Sequence, residues 1–113
     1  MNGLHGFQVH TSSDFSSGCV STGGHYNPFS SNHGAPDSVE RHVGDLGNIQ
    51  VSEGKANVSL IDSQIKLYGA TSVVGRTCLV HVGEDDLGNG GNLGSLTTGN
   101  SGSRVACGEI ILI

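Results

Sequence analysis

Five of the six histidines, with one aspartate, fall at metal-ligand spacing: His10, His25, His33, His42, Asp45 and His81. The tightest stretch reads H-x7-H-x8-H-x2-D from His25 to Asp45. Three imidazoles and one carboxylate make a closed four-ligand set, the donor count and type of a tetrahedral zinc site. His10 and His81 sit on separate strand-like segments and need a second metal, or none.

A scaffold must bring those residues together. At 113 residues the chain is a single domain, spanning residues 1–113, with room for one modest core. Nineteen glycines, no tryptophan and recurrent Ser, Thr, Asn and Gly clusters between short apolar runs describe an all-β chain with long loops. The formal charge is −5 with only five Lys plus Arg, so no basic stripe exists to neutralise phosphates and nucleic-acid binding is excluded. No apolar run approaches the roughly 20 residues that span a bilayer. Three cysteines are too few for a disulfide scaffold. The opening Met1-Asn2-Gly3-Leu4 is not a secretory leader, and a cytoplasmic location is expected.

Residues 4–10 alternate, with Phe7 and Val9 on one face and Gln8 and His10 on the other. Residues 11–36 are irregular and carry Cys19, His25 and His33, so a long functional loop is expected. A short strand is predicted over residues 45–51, and a clearer one over residues 56–60, where Ala56, Val58 and Leu60 alternate with polar residues. Ile65 and Leu67 continue after a turn. Cys78 lies in the apolar run of residues 78–82 beside His81, and reads as a buried free thiol. Residues 83–103 form a second long loop and residues 105–113 a closing strand.

Read in order, these segments resemble the copper/zinc superoxide dismutases. Gly3-Leu4-His5-Gly6-Phe7-Gln8-Val9-His10 is similar to that family's G-[FL]-H-x-F-H-x-H segment. Gly23-Gly24-His25-Tyr26-Asn27-Pro28, Arg41-His42-Val43-Gly44-Asp45-Leu46-Gly47, Asp85-Asp86-Leu87-Gly88 and Gly99-Asn100-Ser101-Gly102-Ser103-Arg104-Val105-Ala106-Cys107-Gly108 look like its later motifs. The resemblance implies an all-β fold, a Greek-key β-barrel or sandwich lacking its first three strands, with two long functional loops. It implies zinc on His25, His33, His42 and Asp45, and copper on His10, His25 and His81, with His25 bridging the two. It further implies a Cys19–Cys107 disulfide, Arg104 as the group that attracts the superoxide anion, and Asp85 as the carboxylate linking a zinc histidine to the copper side. An Arg41–Asp62 ion pair is implied as well, and His5 matches a family histidine that binds no metal. The implied activity is disproportionation of superoxide to dioxygen and hydrogen peroxide by copper, with zinc structural. The expected partners are the superoxide anion and a second copy of the chain, as a homodimer or by self-association through an uncovered sheet edge.

The chain departs from the family pattern at Gln8, which stands where the family carries a copper histidine. A neutral carboxamide is a weaker donor than an imidazole, so copper would have three strong ligands. The alternative reading that follows is a weakened or inactive family member acting as a zinc- and copper-binding module. The second loop carries Gly83, Leu93, Gly94 and Thr97 where family members often have charged residues, which leaves Arg104 for guidance.

Overall fold

Strand β1 (Gly3–His10) runs through the middle of the molecule, and the other strands are ordered around it. In this computed structural model, which describes residues 2–113, β1 pairs antiparallel with β3 (Asp45–Val51) on one side and β4 (Thr77–His81) on the other. Strand β5 (Arg104–Glu109) adds to β4, giving the four-stranded order β3-β1-β4-β5. The period-2 alternation of β1 sets its two faces. Val9 points into the core with Tyr26, Val43, Leu46 and Val73, while Gln8 and His10 are buried on the opposite face. Register then sets the site: Gln8 lies opposite Leu79, His10 opposite Thr77, and His81 opposite Arg104. A register shift between Val80 and His81 lies next to that last pairing, the place where a bulge re-aims a side chain.

The long loops are less irregular than their composition suggests. The first contains a short strand, β2 (Ser16–Cys19), and a 3-10 turn over Val20–Thr22. The second contains α1 (Leu93–Thr97), capped by Asn92 Oδ1, which accepts from the backbone N–H of Ser95. Residues 56–60 form no ladder, contrary to the strand predicted there, and Val58 and Leu60 are 48% and 42% exposed. Alternation marks a preference for extended backbone, but a strand also needs a neighbour, and none of the described strands pairs with this stretch. Residues 65–67 contribute only a bridge from Lys66 to Ser72, and the closing strand stops at Glu109.

Residues 23–44 have no regular secondary structure beyond a bridge between His10 and His25, and are held by side chains instead. Arg41, buried, donates to the carbonyls of Pro36, His42 and Val43 and to both carboxylate oxygens of Asp62. The expected Arg41–Asp62 pair therefore forms, with one contact of 2.6 Å. Each guanidinium nitrogen is satisfied, which is the condition for burying an arginine at tolerable cost. Burial opposes ionisation of Asp62, yet the bonds from Arg41 and nearby backbone N–H groups hold its pKa below the usual carboxylate range.

The disulfide is the other tie. Cys19 and Cys107 are joined, with Cα atoms 5.9 Å apart, so the start of the loop is fastened to β5. Cys78 is a free thiol and only half-buried, less enclosed than its apolar run suggested.

Candidate metal centre

Four donor atoms converge on one point beside the start of β3. Asp45 Oδ1 lies 3.0 Å from His25 Nδ1, 3.0 Å from His33 Nδ1 and 3.2 Å from His42 Nδ1. His25 Nδ1 and His42 Nδ1 are 3.1 Å apart. A tetrahedral ion with bonds of roughly 2.0–2.1 Å has ligand–ligand edges of about 3.3 Å, so this cluster is close to zinc size. His33 Nδ1 has no aligned hydrogen-bond partner despite its short distance to Asp45, a geometry that suits a shared ion better than a hydrogen bond. The other carboxylate oxygen, Asp45 Oδ2, accepts from the backbone N–H groups of Gly34 and His42, which fixes the plane of the group.

Charge in the cluster follows from these contacts. Burial opposes ionisation of Asp45, but the bond from His25 and the close approach of the His33 and His42 rings overcome it and hold the carboxyl well below its ordinary range. Burial likewise disfavours a charged His33, yet the adjacent Asp45 carboxylate and the bond to Asp85 raise its pKa to about 9. His33 is therefore protonated at pH 7 in the metal-free chain, and an ion taking Nδ1 must expel that proton. Zinc uptake at pH 7 is expected to release about one proton from His33, and apparent zinc affinity to climb about tenfold per pH unit from this group between pH 7 and 9. Calorimetric titration in buffers of different ionisation enthalpy measures this; uptake with no proton release would refute it.

A second set lies beside the first. Donor atoms of His10, His25 and His81 all fall within 4.8 Å of one another, as do those of His25, His33, His42 and Asp45, so His25 belongs to both sets. His10 Nδ1 is 2.8 Å from the Gly23 carbonyl and His81 Nδ1 is 2.8 Å from the Gly102 carbonyl. A carbonyl only accepts, so each Nδ1 carries the hydrogen and each Nε2 is left with a free lone pair. Both Nε2 atoms are buried without partners. Burial is the main cause that pushes His10 down to about 3, so its imidazole is neutral at pH 7; burial also lowers His81 and His25. Neutral rings with bare, buried nitrogens suit a metal ion, and the residues present fit a second site with imidazole donors.

Asp85 joins the two halves. Its Oδ1 accepts from His33 Nε2 at 2.7 Å and its Oδ2 from Gln8 Nε2 at 3.1 Å. Asn48 on β3 clamps its backbone from both sides, donating Nδ2 to the Asp85 carbonyl and accepting from the Asp85 N–H. Gly99, with φ +79°, closes over this link, and a Cβ there would collide with Asp85 Oδ1 and His33 Nε2. Sequence reasoning placed Asp85 but missed Asn48 and the Gln8 hydrogen bond, because neither residue is a metal-ligand type. It left His5 without a metal role, and His5 Nδ1 is bonded to the His81 carbonyl instead.

Arg104 lines an adjoining cleft of about 430 Å³ together with His10, His25, His81, Thr97 and Asn100. Its Nη1 donates to the carbonyls of Cys19 and Val20 and to Thr22 Oγ1, so the first loop fixes the guanidinium in this cleft. The second loop closes the other side. Asp86 accepts from Ser95 Oγ and Asn100 Nδ2, and the His33 N–H donates to the Leu96 carbonyl, which ties α1 to the metal-binding loop.

A family model described as copper/zinc superoxide dismutase matches residues 1–110. A Cu-Zn superoxide dismutase from Kluyveromyces lactis is 57% identical over 110 residues, covering 96% of this chain and 71% of the relative. A crystal structure of the clock protein EA4 superposes with a TM-score of 0.92 at 46% identity, covering 96% of this chain and 69% of that one.

Proposed function

The chain belongs to the copper/zinc superoxide dismutase family, and from that membership we propose that it is an oxidoreductase converting superoxide to dioxygen and hydrogen peroxide. The observation that carries the reading is the pair of donor sets sharing His25 beneath a cleft that Arg104 lines. His10, His25 and His81 would hold copper, and His25, His33, His42 and Asp45 would hold zinc. Bound copper supplies a one-electron couple, which zinc lacks.

The chain's own residues do the remaining work. Arg104 presents positive charge where a small anion enters, and oppositely charged clefts raise association rates by about 10- to 1000-fold. Thr97, Thr98, Asn100 and Ser101 line the same cleft with small polar side chains. His25 commits Nδ1 to the Asp45 cluster, which leaves Nε2 as the ring atom that can take up a proton and hand it to a reduced product. Asp45 would complete the four-ligand set for zinc with His25, His33 and His42, which suits a structural ion.

Arg104→Ala is expected to lower the rate of superoxide capture by about tenfold and to flatten its dependence on ionic strength, with copper and zinc content unchanged. Pulse radiolysis across salt concentrations measures both. A capture rate equal to the parent's would remove Arg104 from this role. Gln8 favours a second reading, a metal-binding module without turnover. Elemental analysis of the purified chain beside a superoxide assay separates the two: bound copper with no turnover supports the module.

A further inference from the structure

Gln8 sits where a strong ligand would be expected, and both ends of its carboxamide are engaged or available. The side chain is completely buried. Nε2 faces Asp85 Oδ2 at 3.1 Å, and a carboxylate only accepts, so the amide orientation is settled. Asp85 passes this contact on to His33 through its other oxygen. Oε1 is therefore turned away from Asp85, and it is buried with no partner. A buried acceptor of this kind is costly to leave unpaired, which makes Oε1 a candidate ligand atom. Positions 8 and 10 of β1 project from the same face, which puts this oxygen on the side that carries the equally unpartnered His10 Nε2. Packing holds the amide in place: a Cβ at Gly6 would come 3.2 Å from Gln8 Nε2 and run into the Ser101 side chain.

Resting on the superoxide dismutase reading, we propose that Gln8 is a two-ended positioning and specificity residue. Through Nε2 it holds Asp85 and so orients His33 for zinc; through Oε1 it adds a hard oxygen donor to the His10, His25 and His81 set. A carboxamide oxygen suits divalent ions, whereas the cuprous ion prefers softer donors. The second site is thereby shifted towards cupric or zinc ions and away from cuprous copper. Ordinary ligand counting treats Gln8 as a loss at one site. The hydrogen-bond pattern makes it a retained support for the zinc site and an altered ligand for the other.

The full chain and three variants test this. Zinc affinity is read by competition with a chromophoric chelator at one equivalent of metal, cupric affinity and electron paramagnetic resonance report the second site, and cuprous affinity is read against bicinchoninate. Gln8→Leu removes both ends and is expected to weaken zinc binding 10- to 100-fold, the range for lost outer contacts, and to change the cupric spectrum. Gln8→Glu keeps an oxygen but loses the Nε2 donor, so zinc binding should weaken by a similar factor while cupric binding persists. Gln8→His should leave zinc affinity within a few-fold and raise cuprous affinity at least tenfold more than cupric affinity. Unchanged zinc affinity in both Gln8→Leu and Gln8→Glu would overturn the Asp85 half. An unchanged cupric spectrum in Gln8→Leu, or equal gains for both copper states in Gln8→His, would overturn the Oε1 half. None of these measurements uses superoxide, so an inactive chain that behaves as expected here would sink the enzyme reading alone.

Discussion

Asp45→Asn is expected to reduce zinc affinity by more than the 10- to 100-fold typical of lost outer contacts, and to remove most of the stability that zinc confers. Asp45 is fully buried, and three imidazole nitrogens lie within 3.2 Å of its Oδ1. Asparagine keeps the shape but removes the negative charge that balances the ion. The loop between β2 and β3 has little backbone structure of its own, so bonds to a bound ion would take the place of ladder hydrogen bonds. At zinc concentrations 1000-fold above the dissociation constant, binding stabilises a fold by about 4 kcal/mol. For a chain this size that corresponds to a melting temperature raised by roughly 15 °C or more. Scanning calorimetry with zinc and with chelator measures it. Equal melting temperatures for the parent in the two conditions would reject a structural zinc. In the metal-free parent two groups of this cluster act in opposite directions: the depressed pKa of Asp45 contributes stability above about 3.8 that is lost as pH falls, and the raised pKa of His33 contributes stability below about 6.5 that is lost as pH rises towards 9.

Reducing the Cys19–Cys107 bond should cost about 4–5 kcal/mol by the chain-entropy estimate, since the bond closes a loop spanning 88 positions. The effect should reach the cleft as well. Arg104 Nη1 rests on the carbonyls of Cys19 and Val20, and Arg104 begins the strand that carries Cys107. Freeing that junction loosens the one cation lining the cleft. Urea unfolding of a Cys78→Ser background, with and without reductant, measures the stability change and avoids thiol exchange with Cys78. A midpoint that does not move on reduction would show that the bond constrains nothing the fold does not already fix.

The donor residues were legible in the sequence because metal ligands come from few residue types and their spacing is short. His25, His33, His42 and Asp45 lie within a 21-residue stretch. Strand β1 was legible too, because both of its faces are buried and the alternation of Phe7 and Val9 with Gln8 and His10 is strict. Helix α1 was hidden: five residues containing a glycine give no helical period, and the Asn92 cap is the only local signal. Residues 56–60 failed in the opposite sense, since alternation reports a local preference and pairing is a tertiary fact. Asn48 and the second role of Gln8 were illegible for a third reason. Both act through hydrogen bonds to Asp85, 37 and 77 positions away, and no local pattern records such partners.

His25, common to both donor sets, has a thermodynamic consequence. Two ligands that share a residue cannot have independent affinities. If filling the Asp45 cluster orients His25 and so improves the second set by some factor, filling the second set must improve the first by the same factor, because the four states form a closed cycle. The centre is thus a reciprocal pair, and its occupancy depends on the concentrations of both metals together. With such favourable coupling and both ions in limiting supply, a population of these chains would divide into fully loaded and empty molecules more than two separate sites would allow.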